Sequence, residues 1–145
     1  ELAGGVRLLS AGGQIEPGDQ NAVATAMRET YEEIGIEPRY VSVIGTQPSF
    51  LTSTRFVMTP IIGELLSGFA IQTDHDEVAE VFEVPLTVLM DPQMHCLHQL
   101  TLPDGTTRQY FSITWQSYFI WGATAVLLRN FYHYLAAAQT MLLEA

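Results

Sequence analysis

From about Gln20 to Ile34 the apolar positions recur at helical spacing. Val23, Met27, Thr30 and Ile34 form one stripe, with Ala22 and Ala26 beside it. Asp19 or Asn21 is the candidate N-cap, and Gly35 stands where a helix-ending glycine belongs. The pattern predicts a helix over about 20–34. Ahead of it, residues 1–19 are rich in glycine and hold at most one short strand, Val6 to Leu9. Behind it come β-type segments: Tyr40 to Ile44, Phe56 to Leu66 interrupted by Pro60, and Val78 to Val84 with alternating apolar and acidic residues. Pro85 to Met90 predicts a short helix. Leu97 to Leu102 and Gln109 to Trp115 flank Pro103-Asp104-Gly105, a hairpin signal. Gly122 to Leu143 predicts a long helix with Leu127, Phe131, Tyr134 and Leu135 as its buried stripe. Loop, helix, several strands and a terminal helix make an α+β fold, not a regular βαβ repeat.

The chain has 145 residues, enough for a single domain with one core. Its net charge is −10, with six arginines and no lysine. That balance argues against sequence-independent nucleic-acid binding and against docking on an anionic membrane. An anionic substrate is repelled unless a cation or a local arginine reverses the field. A single cysteine, Cys96, excludes an intramolecular disulfide and fits a reducing, cytoplasmic setting. The apolar run from Phe119 to Leu128 is too short to span a bilayer.

Charge is concentrated at the end of the first helix. Glu29, Glu32 and Glu33 project from one side of it, and like charges one turn apart cost stability. Arg28 stands four residues before Glu32 and can orient one acid while leaving the others to a cation. Oxygen ligands on a rigid element suit Mg²⁺ or Mn²⁺, with the shell completed by water and substrate phosphates. The pair His95 and His98 does not make a zinc site, because residues three apart on a strand face opposite sides and no second cysteine exists. Trp115, Tyr118 and Trp121 are read as core aromatics, with stacking on adenine as the alternative.

Gly13, Asp19 and the run Arg28-Glu29-Thr30-Tyr31-Glu32-Glu33-Ile34-Gly35-Ile36 resemble the Nudix box, G-x5-E-x7-R-E-U-x-E-E-x-G-U. The second half matches. In the first half Asp19 replaces Glu, and eight residues rather than seven separate it from Arg28. Those departures resemble the coenzyme A diphosphatase branch, as do Val57 to Gly63, Asp76 to Leu86 and Phe119 to Ala125. Residues 3–13 lack the Phe-Pro of that branch's upstream motif.

The resemblance implies a Nudix-type α/β/α sandwich with a mixed sheet, over residues 1–145 as one domain lacking some N-terminal residues. It implies metal-dependent hydrolysis of CoA or acyl-CoA to adenosine 3′,5′-bisphosphate and a 4′-phosphopantetheine product. ADP-ribose or a nucleotide sugar is the alternative substrate, and a non-catalytic nucleotide-binding module the alternative role. Glu29, Glu33, Glu32 and the Gly13 carbonyl are the implied metal ligands. Glu33, Glu32 and Glu77 are the implied catalytic carboxylates, with Glu77 preferred over Glu80 as the later-loop base. Arg28 supports the site, and Arg55 and Arg7 are candidates for a substrate phosphate.

Overall fold

The computed structural model describes the backbone of residues 7–11 and the whole of residues 15–145. It divides after Phe82 into two units.

In the first unit β1 (Arg7–Ala11) is followed by α1 (Ala22–Ile34). Asn21 opens the helix: its backbone is extended and its side-chain oxygen accepts the Ala24 N–H at 2.9 Å. Gly35 closes it at φ +72°, donating its N–H to the Tyr31 carbonyl. The deepest residues of α1 are Thr25, Ala26 and Thr30, whereas Val23, Met27 and Ile34 of the expected stripe are only half-buried. Threonine is accepted on the inner face because its hydroxyl is satisfied: Thr30 donates to the Ala26 carbonyl at 2.7 Å, one turn back.

The chain then forms β2 (Val41–Thr46), the small hairpin β3 (Phe50–Leu51) and β4 (Val57–Met58), and β5 (Ile61–Leu65). The order β1-β5-β2 puts β5 in the middle, and α1 packs on β1 and β5. Ile61, Ile62 and Gly63 are buried in succession, so β5 is covered on both faces. Pro60, which has no N–H to give the ladder, stands just before the strand, and its carbonyl accepts the Gln47 N–H at 2.9 Å. A bulge between Val43 and Gly45 leaves Ile44 out of register and exposed. Gly63 is required by close approach: a Cβ there would lie 2.7 Å from Val41 Cγ1.

Val78 to Val84 is not a strand. Its approach is spent on a turn around Asp74, whose side chain accepts the Asp76 N–H while its carbonyl accepts those of Glu77 and Val78. Alternation alone did not reveal that these donors are used locally.

The second unit holds α2 (Leu86–Leu89), β6 (His95–Thr101), β7 (Thr107–Trp115), β8 (Tyr118–Trp121) and α3 (Gly122–Glu144). Asp104 builds the predicted hairpin turn by accepting the Thr106 N–H and hydroxyl, and Gly105 takes φ +82°. The apolar run from Phe119 to Leu128 is divided between β8 and the first turns of α3. α3 packs on β7 and β8, and its buried residues are Ala125 and Leu127. Tyr134 and Leu135, expected in its buried stripe, are 47% and 41% exposed. Trp121, expected in the core, is also exposed.

All described strand pairings are antiparallel, so the parallel pairing of a mixed sheet is not found among the described residues. No described helix is long and apolar enough to cross a membrane.

Candidate active site

Arg28 organises the acidic end of α1. Its Nε and Nη2 donate to the two oxygens of Asp19 at 3.1 and 3.0 Å, a two-point contact that sets the plane of the guanidinium. Nη1 then reaches Glu32 at 3.0 Å and Glu29 at 3.2 Å. Asp19 is itself anchored, accepting the Glu16 N–H at 2.8 Å and the Thr25 hydroxyl at 3.0 Å. The Arg28 guanidinium, with the Glu16 N–H, lowers the Asp19 carboxyl to about 2. Asp19, in turn, raises Arg28 above its ordinary value. Asp19 is therefore the holder of Arg28 rather than the helix cap. Thr25, whose hydroxyl also reaches the Asn21 carbonyl at 3.2 Å, ties Asp19 to the inner face of the helix.

Glu33 is in the opposite situation. Burial raises its carboxyl, and the charges of Glu29 and Glu77 raise it further. Glu29 is close enough to share a hydrogen bond with it, and Glu32 adds a smaller repulsion. Glu77 is brought to this neighbourhood by the backbone. The last helical carbonyls have no partner within α1, and the returning chain supplies them: Gln72 donates to the Ile34 carbonyl and Asp74 to that of Glu33, both at 2.8 Å. The turn on Asp74 then carries Glu77. Gly35 permits this docking, since a Cβ there would meet Gln72 Cβ at 2.9 Å and its carbonyl oxygen at 3.0 Å.

Among the described residues no three His, Cys, Asp or Glu side chains are gathered as a ready-made metal site. Glu29 and Glu33 are adjacent, Glu77 is within electrostatic reach, and Glu32 is held by Arg28. A crowd of carboxylates that raises one of its own members fits a hard divalent cation bound by few protein oxygens, with water and phosphate completing the shell. An open cleft of about 350 Å³ lies at the end of α1, lined by Tyr31, Glu32, Gly35, Glu37 and the chain at 72–74. Glu29 and Glu33 do not line it, so it is not the carboxylate cluster.

Arg55 sits at the tip of the β3–β4 hairpin at φ +66°, and no described hydrogen bond or ion pair ties it to the carboxylates. The Gly13 carbonyl and the Arg7 side chain lie outside the described residues. His95 and His98 do not converge. His95 meets the Leu89 carbonyl at 2.7 Å through Nε2 and accepts from Arg129 at 3.0 Å through Nδ1. His98 bonds Ser112 at 2.6 Å and stacks on Tyr110.

Residues 4–104 match the family described as the NUDIX domain. Proteins called "uncharacterized Nudix hydrolase NudL" in Cronobacter sakazakii, Citrobacter koseri and Salmonella paratyphi B are each 34% identical to this chain over 120 residues. The match covers 82% of this chain and 62% of each relative, so the chain spans less than two thirds of their length. The family match takes in both the Arg28 hub and the chain that docks on the end of α1. The chain belongs to the Nudix family.

Proposed function

We propose that this chain is a metal-dependent diphosphatase that hydrolyses a nucleoside diphosphate derivative, with CoA or acyl-CoA as the substrate. Water adds to one phosphorus, the bridging P–O bond breaks, and the two phosphate-bearing halves leave. From CoA these are adenosine 3′,5′-bisphosphate and 4′-phosphopantetheine. The observation that carries the reading is the Nudix match over residues 4–104, which takes in Glu29, Glu32 and Glu33 at the end of α1. Burial and the charges of Glu29 and Glu77 raise the Glu33 carboxyl, which suits a positive partner there.

Glu29 and Glu33 would hold Mg²⁺ or Mn²⁺, with Glu32 and the Gly13 carbonyl as further oxygens. The bound cation supplies charge neutralisation on the diphosphate and acidifies water. Arg28 keeps Glu29 and Glu32 in place without occupying Glu33. Glu77, carried by the turn on Asp74, takes the proton of the attacking water. Arg55 or Arg7 binds a further phosphate of the substrate. The family match runs across the boundary at Phe82, which supports a single Nudix domain. The CoA assignment rests on Asp19 and the eight-residue spacing to Arg28.

A panel of CoA, ADP-ribose, NADH, diadenosine polyphosphates and nucleoside triphosphates, assayed with Mg²⁺ and with Mn²⁺, tests the reading. CoA turnover is expected. Turnover of ADP-ribose alone would replace the substrate, and no turnover would leave a binding module. Glu33→Gln should lower kcat by at least about 100-fold, the scale of a positioned carboxylate. Its melting temperature should not fall, because one crowded charge is removed. Near-normal kcat in that variant would take Glu33 out of the mechanism.

A further inference from the structure

β6 lies at an edge of its sheet, since the strand order is β6-β7-β8. An edge strand offers unpaired backbone groups to any other chain, and proteins blunt such edges with charge, proline, bulges or short length. β2, at an edge of the other three-stranded sheet, carries a bulge between Val43 and Gly45, and β8 is only four residues long. β6 has none of these devices. Its seven residues, HCLHQLT, include no acid, arginine or proline, and they pair with β7 without a register shift. The strand is open to solvent: Cys96 is exposed, and Leu97 and Leu100 are 56% and 51% exposed.

The turn after β6 shows which of its backbone groups are free. The Leu102 N–H donates to the Thr106 carbonyl at 2.8 Å, one step beyond the pair Thr101 and Thr107. Bonding to one neighbour alternates along an antiparallel strand. His98 and Leu100 therefore bond toward β7, while Leu97, Gln99 and Thr101 turn their N–H and C=O outward. The His95 N–H is already given to the Pro92 carbonyl. The outward residues with both groups free are thus centred on Gln99. A copy of the same strand, running antiparallel about Gln99, sets Leu97 against Thr101 and Thr101 against Leu97. Every outward N–H of the three then finds a carbonyl. The same register puts Leu100 opposite His98 of the copy, on the face where His98 stacks on Tyr110 and meets Phe119 edge-on.

We propose that β6 pairs with β6 of a second copy of this chain, giving a two-fold dimer in which the two three-stranded sheets become one. Charge selects the place. Copies that each carry −10 repel one another, and an uncharged strand lets them meet without setting carboxylate against carboxylate. Symmetry selects the occupant. A two-fold interface needs a self-complementary patch, and the register about Gln99 supplies one. The dimer does not depend on the reaction proposed above.

Sedimentation velocity of the full chain tests it, at physiological ionic strength, where repulsion is screened beyond about 8 Å. A dimer that dissociates on dilution is expected. Gln99→Lys sets two like charges opposite each other at the axis and should raise the dimer Kd at least about 10-fold. Its melting temperature should match wild type at dilutions where both are monomers. In a Cys96→Ser background, Gln99→Cys should form a disulfide-linked dimer on mild oxidation, because opposite residues of such a pair stand about 5.5 Å apart, within disulfide reach. Leu97→Cys in that background should link at least about 10-fold more slowly, since Thr101 stands opposite it and no cysteine is within reach. A wild type that stays monomeric up to about 1 mM overturns the proposal and leaves the edge to a strand of another protein. Larger oligomers overturn it too, because a two-fold pairing is closed. So does a dimer whose Kd is unchanged by Gln99→Lys, or equal linking rates in Gln99→Cys and Leu97→Cys.

Discussion

A carboxylate and a guanidinium nine residues apart set the electrostatics of the acidic helix. Asp19 meets Arg28 at two points and is almost wholly covered, with 7% of its side chain exposed. The consequence is a defined pH dependence. The folded-state value of Asp19 is about 2 against an ordinary 3.8. Between those values the unfolded chain binds a proton that the folded chain refuses, so stability rises with pH across this window. The contribution is present above about pH 4 and is lost as pH falls through 2. The gap in unfolding midpoint between wild type and Asp19→Asn should therefore be widest above pH 4 and narrow toward pH 2, measured by urea unfolding. A gap independent of pH would mean that Asp19 acts through shape alone. The pairing of Arg28 with Glu32 was legible from spacing, because four residues is one helical turn. The pairing with Asp19 was not, since it depends on how the loop before α1 folds back.

At the scale of elements, the sequence announced the two long helices, α1 and α3, through period and punctuation. The cap at Asn21, the stop at Gly35 and the hairpin at Asp104-Gly105 are local choices that a few residues make by themselves. What was not legible depends on groups outside the element itself, in a neighbouring turn or distant in sequence. Val78 to Val84 alternates like a strand, yet the preceding turn on Asp74 takes its leading donors. Tyr134 and Leu135 follow the helical stripe but remain exposed, because period fixes a face and not the length of the surface that covers it. Glu77 reached the candidate site by a related route: two N–H groups of the returning chain cap the end of α1. Gly35 is the residue on which that docking turns. Gly35→Ala introduces a left-handed alanine at a cost of about 1–2 kcal/mol and pushes against the backbone of Gln72. The variant should melt several degrees lower, as a change of this size does in a domain of this length. It should also lose kcat beyond what the lower stability explains, since the Glu77 turn is displaced. Full activity at a temperature where the variant is folded would separate the docked chain from catalysis.

For the whole molecule the decisive number is the net charge of −10, which would face the anionic substrate of the proposed reaction. Arg28 does not offset it at the site, because its donors are committed to Asp19, Glu29 and Glu32. On the proposed reading a divalent cation has two tasks, one at Glu29 and Glu33 and one in masking the approach. The second task can be separated from the first with monovalent salt, which screens without entering a site of hard oxygen ligands. Raising ionic strength from 0.01 to 0.15 M shortens the screening length from about 30 to about 8 Å, weakening repulsion across the face the substrate crosses. At fixed free Mg²⁺, KM for CoA should fall as KCl is raised over this range, and kcat should change little. Proteins that steer anions with a basic cleft lose association rate under the same treatment. A rise in KM with salt would show that a local positive patch, with Arg55 or Arg7 at its centre, outweighs the charge of the chain.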